Sequence, residues 1–508
     1  GKHVAIFSVK KMIKLIIQSY LDGLKYGAAP SREMIQQNGV FMKGIIIGPL
    51  VWLLVLNALL VPLESAAGSP PDSVWAMPLS HSPKAGLTEI CDNGIDDDGN
   101  GWIDCYDPTC QCAPCSDKLA NNWHFGRRAS INFNGGMATP GTTSSAFSYE
   151  ASSSISDANG NLLFYTDASN VWDRRHQIMP NGTGLDASVI PSSLGSSLSQ
   201  LIIVPNPGDP NIFYIFIPDV QDANNGLTYT IVDMSLNNNY GAVTQKNIPL
   251  GTLKTTEQIT AIQHCNQQDY WVIVKAFETN LYYKVPVTSA GVGAFTTQNI
   301  GRVQTRTTQS GENALGNMVS NVQGNQLAIN YRVGKGVELL DFDNSTGQLS
   351  NPRYWNNGIF GRPHGLEFSP SGQFLYCATV GDLFPTRRNW KIHQFDVTLP
   401  TATDIGTSGY VVFDDVSNSG FTLALGPDGK IYKSQLGSPF LDVINRPDLQ
   451  GAACDFQDNS FLLSGSVQLG SPTYPKAFLA PAGLMVALNG PTVICSDTTD
   501  GRQMYTVT

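Results

Sequence analysis

A turn mark that returns along the chain constrains the fold more than any other feature of the sequence. Each mark is a short run of Gly, Asn, Asp, Pro, Ser or Gln followed directly by an apolar or aromatic run, the pattern of a tight turn before a β-strand. The marks are at residues 157–160, 207–209, 266–269, 323–325, 370–372 and 427–429. Successive marks lie roughly 48 to 60 residues apart, which is room for four strands and their loops. This period predicts a β-propeller over residues 119–487.

The blade number follows from the same period. Dividing about 365 residues by about 52 gives seven blades, with six as the alternative. The competing arrangement is a pair of β-sandwiches, which the repeated return of the mark disfavours. The 49 Gly, 30 Pro and only 14% charged residues suit many short strands joined by turns, so we expect an all-β chain.

The charge of the chain excludes one class of partner. The formal net charge is −10, whereas phosphate contacts need clustered Lys and Arg. We therefore expect no binding to nucleic acid.

The region around residues 42–67 has the three parts of a secretory signal peptide. Met42-Lys43 precede an apolar run at 45–63, and small residues follow at Ser65 and Ala67. The alternative is a membrane anchor, but Pro49 interrupts the apolar run. We expect cleavage and export, with residues 1–41 as a non-native upstream extension and 68–88 as a linker. Membrane contact is then expected only through export or surface attachment, and the protein is expected to be secreted or on the cell surface.

Residues 89–117 combine clustered cysteines with a loop of spaced acidic residues. The spacing is that of a twelve-residue calcium loop with ligands at positions 1, 3, 5, 7, 9 and 12. These residues are Asp96, Asp98, Asn100, Trp102 (through its carbonyl), Asp104 and Asp107. We expect Ca²⁺ here, with the nearby cysteines forming disulfides; the alternatives are a solvated turn and a zinc site, for which Cys112 and Cys115 supply only one half. At the other end, residues 488–508 open a new strand-and-turn pattern, as at the start of a truncated Ig-like or PKD-like domain.

Several segments resemble a known family. Residues 154–167, 171–173, 367–372 and 447–456 look like the N-terminal propeller of large surface proteins from gliding bacteria. The stretch 91–110 resembles the short Cys/Asp-rich motif related to thrombospondin type 3 calcium repeats. The resemblance implies export by the type IX route and PKD or immunoglobulin-like repeats after the propeller. It implies no shared enzymatic activity.

Candidate site residues follow from the propeller geometry, because propellers hold ligands at the end of the axial channel where the innermost strands begin. Reading back from the turn marks gives Glu150, Ser197, Glu257, Glu312 and His364. Converging carboxylates could act as general acid and base on a glycosidic bond, or bind a metal. The alternative is that these polar groups cap strand ends and bond to loop amides.

The function that we expect is binding or adhesion to extracellular polysaccharide or to a surface protein through one face of the propeller. No recognised catalytic motif is present, so we do not expect an enzyme. The alternative is a secreted glycan-active hydrolase or lyase that uses the axial carboxylates.

Overall fold

Seven antiparallel sheets form the blades of a β-propeller in the computed structural model. The described residues are 118–141, 144–185, 200–219, 226–251, 254–304, 314–357, 361–380, 390–415 and 422–479. The predicted all-β class and the prediction of seven blades are confirmed. The expected modules at 1–41, 42–67, 68–88, 89–117 and 488–508 lie outside the described residues.

The blades are numbered 1 to 7 in chain order. Blade 1 is short and contains β1 (Asn122–Phe125), β2 (Ala129–Asn132) and β3 (Thr139–Pro140). Blade 2 contains β4 (Ser153–Ser156), β5 (Leu162–Thr166), β6 (Asn170–Asp173) and β7 (Ile178–Thr183). Blade 3 contains β8 (Ile202–Asn206), β9 (Asp209–Ile217), β10 (Leu227–Asp233) and β11 (Ala242–Leu250). Blade 4 has five strands, β12 (Thr255–Gln263), β13 (Tyr270–Ala276), β14 (Leu281–Thr288), β15 (Gly291–Val292) and β16 (Thr296–Asn299).

The remaining blades have four strands each. Blade 5 contains β17 (Met318–Ser320), β18 (Gln326–Tyr331), β19 (Gly336–Asp343) and β20 (Gln348–Trp355). Blade 6 contains β21 (Arg362–Phe368), β22 (Phe374–Val380), β23 (Trp390–Asp396) and β24 (Tyr410–Asp415). Blade 7 contains β25 (Leu423–Leu425), β26 (Ile431–Lys433), β27 (Phe440–Ile444) and β28 (Phe456–Leu462).

Helical structure in the described ranges is confined to short connections. These are α1 (Leu236–Asn239), α2 (Ala402–Thr407) and 3-10 helices at Gly451–Cys454 and Lys476–Leu479. The backbone of α1 is left-handed at Asn237 and Asn238, a conformation that Asn tolerates better than most residues. Helix α2 begins after Thr401, whose hydroxyl accepts a hydrogen bond from the backbone N–H of Asp404 at 3.1 Å.

The turn marks read from the sequence are the hairpins between the first and second strands of blades 2 to 7. In the first of them, Asp157 Oδ1 accepts hydrogen bonds from the backbone N–H groups of Asn159 (2.9 Å) and Asn161 (2.8 Å). Gly160 has a φ of +82° in the same turn, where a side chain would be strained. Local turn chemistry therefore sets where each blade begins its return strand.

Burial falls from the axis to the rim of the blades. Nearly every residue of the inner strand β12 is buried, whereas the outer strand β28 is mostly exposed. Between blades, aromatic side chains make edge contacts; the ring of Trp123 lies 4.9 Å from Phe133 and 5.7 Å from Tyr432. These contacts pack blade 1 against blade 7.

The C-terminal part of the described chain closes the ring against the N-terminal blades. The backbones of Arg127 and Ser466 exchange hydrogen bonds of 2.8 and 3.1 Å. Further along, the N–H of Leu469 donates to the carbonyl of Tyr149 at 2.8 Å, and the N–H of Thr473 donates to the carbonyl of Ser152 at 2.9 Å. Residues far apart in sequence thus hold the first and last blades together.

Candidate functional site

The innermost strands of blades 3 to 7 surround a small axial cavity together with the C-terminal segment. Lining residues from the five blades in turn include Gln200, Ile259, Asn317, Glu367 and Thr422, and residues 471–474 and Lys476 complete the wall. The cavity measures about 20 Å³, which is room for one water molecule. Sites for small organic ligands are typically about 300 to 1,000 Å³. This part of the axis is therefore filled by protein and cannot enclose a sugar.

The carboxylate in the cavity wall is already paired. Glu367 Oε2 accepts hydrogen bonds from Lys476 Nζ at 2.6 Å and from the backbone N–H of Leu425 at 2.9 Å. Glu367 Oε1 accepts from the N–H of Phe368 at 3.2 Å. Burial raises the pKa of Glu367, and the Lys476 ammonium opposes that rise. The pair attaches the C-terminal segment to blades 6 and 7.

Amide side chains join neighbouring blades where the innermost strands begin. Gln258 Nε2 donates to the carbonyl of Asn330 at 2.9 Å, and Gln304 Nε2 donates to Gln258 Oε1 at 2.8 Å. Asn330 Oδ1 accepts from the N–H of Asn317 at 2.7 Å, while its Nδ2 donates to the carbonyl of Pro363 at 3.0 Å. We refer to these four amide side chains, Gln258, Gln304, Asn317 and Asn330, as the interblade amide network. It connects blades 4, 5 and 6.

Gln200 makes a similar connection on the side of blade 3. Its Oε1 accepts from the backbone N–H groups of Ile259 (3.2 Å) and Met318 (2.7 Å), and its Nε2 donates to the carbonyl of Met318 at 3.1 Å. One buried amide therefore fixes the spacing of three innermost strands.

His364 is a fully buried imidazole next to the interblade amide network. Arg332 Nη1 lies 2.7 Å from His364 Nδ1, so the imidazole nitrogen is the acceptor. Burial, and secondly the charge of Arg332, lower the pKa of His364 well below its usual value. The ring is neutral at physiological pH.

The predicted axial residues are placed as follows. Glu257 lies in β12 and is fully buried, and His364 lies near the start of β21. Glu150 precedes β4 and is partly buried. Glu257 is adjacent to Gln258, and the carbonyl of His364 accepts from the N–H of Asn317 at 3.1 Å, so both adjoin the interblade amide network.

Other predicted site residues lie outside the described ranges. They are Ser197, Glu312 and the predicted calcium ligands Asp96, Asp98, Asn100, Trp102, Asp104 and Asp107. Among the described residues, no group of three or more His, Cys, Asp and Glu side chains is arranged to hold a metal ion. Within these ranges there is also no helix long and apolar enough to cross a membrane.

Sequence reasoning missed two buried charged sites. One is the Glu367–Lys476 pair, although a charged residue inside an apolar innermost strand was a visible signal. The other is Lys275, whose Nζ lies 4.1 Å from the centre of the Tyr282 ring. Burial lowers the pKa of Lys275 to about 8, and the nearby charge of Glu338 opposes this shift.

Two cysteines of the described chain, Cys377 and Cys454, are buried free thiols. Burial raises the pKa of both, to about 11 for Cys454. Neither has the depressed pKa of a reactive cysteine.

The comparisons with known proteins agree with the class of fold. No protein-family model and no curated protein matches the sequence. A putative 6-phosphogluconolactonase from Bacteroides uniformis is 10% identical, with 69% of this chain and 98% of that chain covered and a TM-score of 0.41. A protein from Lactobacillus plantarum is 13% identical over 70% of this chain and 98% of that chain, with a TM-score of 0.39.

A third similar structure is the WD40 domain of a coronin from Toxoplasma gondii. It is 9% identical over 70% of this chain and 72% of that chain, with a TM-score of 0.35. Similar structures include some that are described as putative enzymes and some that are not, and at this identity the likeness concerns the fold alone. The seven blades define the chain as a β-propeller protein.

Proposed function

We propose that the chain is a secreted or cell-surface protein that binds extracellular polysaccharide or protein through one face of its propeller. The observation that carries this proposal is the filled axis. The described axial cavity holds about one water, and its carboxylate, Glu367, is bound by Lys476 and two backbone amides. A ligand larger than water must therefore be recognised outside this cavity.

The buried polar groups near the axis also support a binding scaffold. Gln258, Gln304 and Asn330 use their amides to join blades, and Gln200 bonds to two innermost strands. Such bonds position strands and leave the exposed loops to carry recognition, the usual division of labour between a rigid scaffold and its loops.

The remaining elements of the proposal come from the sequence. The signal peptide at 42–67 and the resemblance to type IX-exported surface proteins support an extracellular location. The spaced ligands from Asp96 to Asp107 support a calcium-stabilised module ahead of the propeller. In this proposal calcium has a structural role, so its removal weakens binding only indirectly.

A second function, glycan hydrolysis or lysis, is favoured by one observation. Glu257 is fully buried in β12 close to the axis, and buried carboxylates are the kind of group that enzymes use as general acids. In this alternative Glu257 and Glu312, with Glu150, would act on a sugar at the mouth of the channel.

The discriminating experiment is a screen of extracellular polysaccharides and surface proteins against the full chain, with and without calcium. Retained ligand and released product are followed in the same samples. Binding without product supports the adhesive proposal, and binding to nothing on the panel contradicts it. Product formation that Glu257→Gln abolishes, and that the exposed-site control Glu278→Gln retains, would replace it with the enzymatic alternative.

A further inference from the structure

A buried amine and a buried carboxylate face each other inside blade 7. Lys433 in β26 is the direct cross-strand neighbour of Asp442 in β27. Lys433 Nζ lies 2.5 Å from Asp442 Oδ2, and the two side chains are 2% and 0% exposed. This separation places the amine nitrogen within reach of the carboxyl carbon, in the range of a near-attack geometry.

A β-bulge directs a backbone donor at the same carboxyl group. The pairing of β27 with β28 shifts register between Leu441 and Val443, on either side of Asp442. At the shift, the N–H of Asn459 donates to Asp442 Oδ1 at 2.9 Å. Asn459 has a φ of +49°, a strained conformation of the kind found at functional sites. The donor is aimed at the oxygen on which negative charge would develop during attack on the carbonyl carbon.

A second carboxyl group completes the arrangement. Burial, then a hydrogen bond with Asp442 and its negative charge, raise the pKa of Asp458, whereas the charge of Lys433 opposes the rise. Asn459 Nδ2 holds Asp458 Oδ2 at 2.8 Å. The ring of Phe413 lies 5.3 Å from Lys433 Nζ. Asp458 is therefore available as a proton carrier beside an amine that is shielded from water.

We propose that Lys433 and Asp442 condense into an intramolecular isopeptide bond. In the poorly solvated pair a proton passes from the ammonium to the carboxylate, since a neutral pair costs less to bury than two ions. Lys433 Nζ then attacks Cγ of Asp442, and the N–H of Asn459 stabilises the oxyanion at Oδ1. Asp458 relays the second proton from Nζ to Oδ2, the Cγ–Oδ2 bond breaks, and water leaves. An amide and one water replace the ion pair, and Asp458 recovers its proton.

The molecule contains a matched pair that lacks these features. Glu367 and Lys476 are equally close and buried, but two backbone N–H groups bind the carboxylate and favour its ionised form. Within the described ranges no second carboxyl group is hydrogen-bonded to this pair. It is expected to remain an ion pair, and it serves as an internal control.

The test is peptide mapping of the full chain after folding, denaturation, reduction and alkylation. A lysine converted to an amide resists trypsin, and Arg446 is followed by Pro447, so cleavage is expected only after Lys430 and Lys476. The expected product is one peptide, 431–476, lighter than its sequence by about 18 Da, the mass of one water. Cleavage after Lys476 in the same digest shows that the control pair has not reacted.

Three variants distinguish an isopeptide bond from a loss of water at aspartate alone. Lys433→Arg keeps the cation but cannot form the amide, so its peptide must have full mass; loss of water in this variant would indicate a succinimide and overturn the proposal. Asp458→Asn is expected to slow the reaction by about a hundredfold or more, and an unchanged rate would remove Asp458 from the mechanism. The matched control Lys391→Arg, in an exposed pair of blade 6, should cross-link normally. Complete cleavage after Lys433 in folded wild-type protein would refute the proposal.

Discussion

Lys275 is a buried charge in the wall between blades 4 and 5, and its replacement by Met tests how the propeller tolerates such a group. The side chain is 0% exposed, and its Nζ donates no hydrogen bond to any described residue. Its contact is the face of Tyr282, with the ring centre at 4.1 Å. Met fills nearly the same volume, adapts its shape readily and makes favourable contacts between sulfur and an aromatic ring.

The size of the effect follows from the pKa of Lys275, which burial lowers from 10.5 to about 8. A shift of this size means that the charged form is disfavoured in the folded state by about 3 kcal/mol relative to the unfolded state. Removing the charge removes this cost, although the attraction of the ammonium to Tyr282 is also lost, a term of about 1 to 2 kcal/mol. We expect Lys275→Met to increase the free energy of unfolding by about 1 to 3 kcal/mol at pH 7.

The assay is urea unfolding of wild type and variant at pH 7, 8, 9 and 10. Between about pH 8 and 10.5 the unfolded chain binds the proton that folded Lys275 has lost, so wild-type stability gains from rising pH in this window. The Met variant lacks this term. Its advantage is therefore greatest at pH 7 and narrows towards pH 10.

Lys284 is the matched control in the same blade. Its Nζ donates a hydrogen bond to Gln298 Oε1 at 3.2 Å, so Lys284→Met removes a satisfied group and should bring no comparable gain. A Lys275→Met protein that is less stable than wild type at pH 7, or whose advantage does not change with pH, would refute the reasoning.

Three further outcomes are expected. Burial, and secondly repulsion by His176, lower the pKa of His124 to about 3, so stability should fall as pH drops below about 6.5, by about 2 kcal/mol at pH 5; urea unfolding of His124→Phe should show a flatter pH profile. Lys476→Met leaves Glu367 buried without its cation and should lower the free energy of unfolding by about 3 to 5 kcal/mol in urea titrations, whereas adding Glu367→Leu should recover much of the loss. Cys377 should react with iodoacetamide only after unfolding, because it is 0% exposed and its pKa is raised; labelling of the folded chain would contradict its burial.

The blade pattern could be predicted from the sequence because its signals are local. A turn such as 157–160 needs a side chain that bonds to nearby amides and a residue with positive φ, and both are visible as Asp157 and Gly160. Since each mark lies in the hairpin after an innermost strand, counting back from it also located Glu257 and His364 near the axis. The register of the chain was enough for that step.

The contents of the axis could not be predicted because they depend on residues far apart in sequence. Lys476 meets Glu367 across 109 positions, and Gln200 meets Met318 across 118. Nothing in either local pattern names the partner. Whether a polar residue near the axis faces a ligand, a neighbouring blade or a counter-charge is decided only when the ring closes.

The buried lysines of this propeller show how closure assigns chemistry to similar side chains. Lys275 faces an aromatic ring, Lys476 an ionised carboxylate held by backbone amides, and Lys433 a carboxyl group next to a second acid. All three lie on or beside strands of comparable apolar character, so burial alone does not distinguish them. The distinction comes from the groups within hydrogen-bond reach of each amine, which raise or lower the free energy of the charged form relative to the neutral one. A substitution that changes those neighbours, rather than the lysine itself, should therefore change which of the three behaviours each site shows.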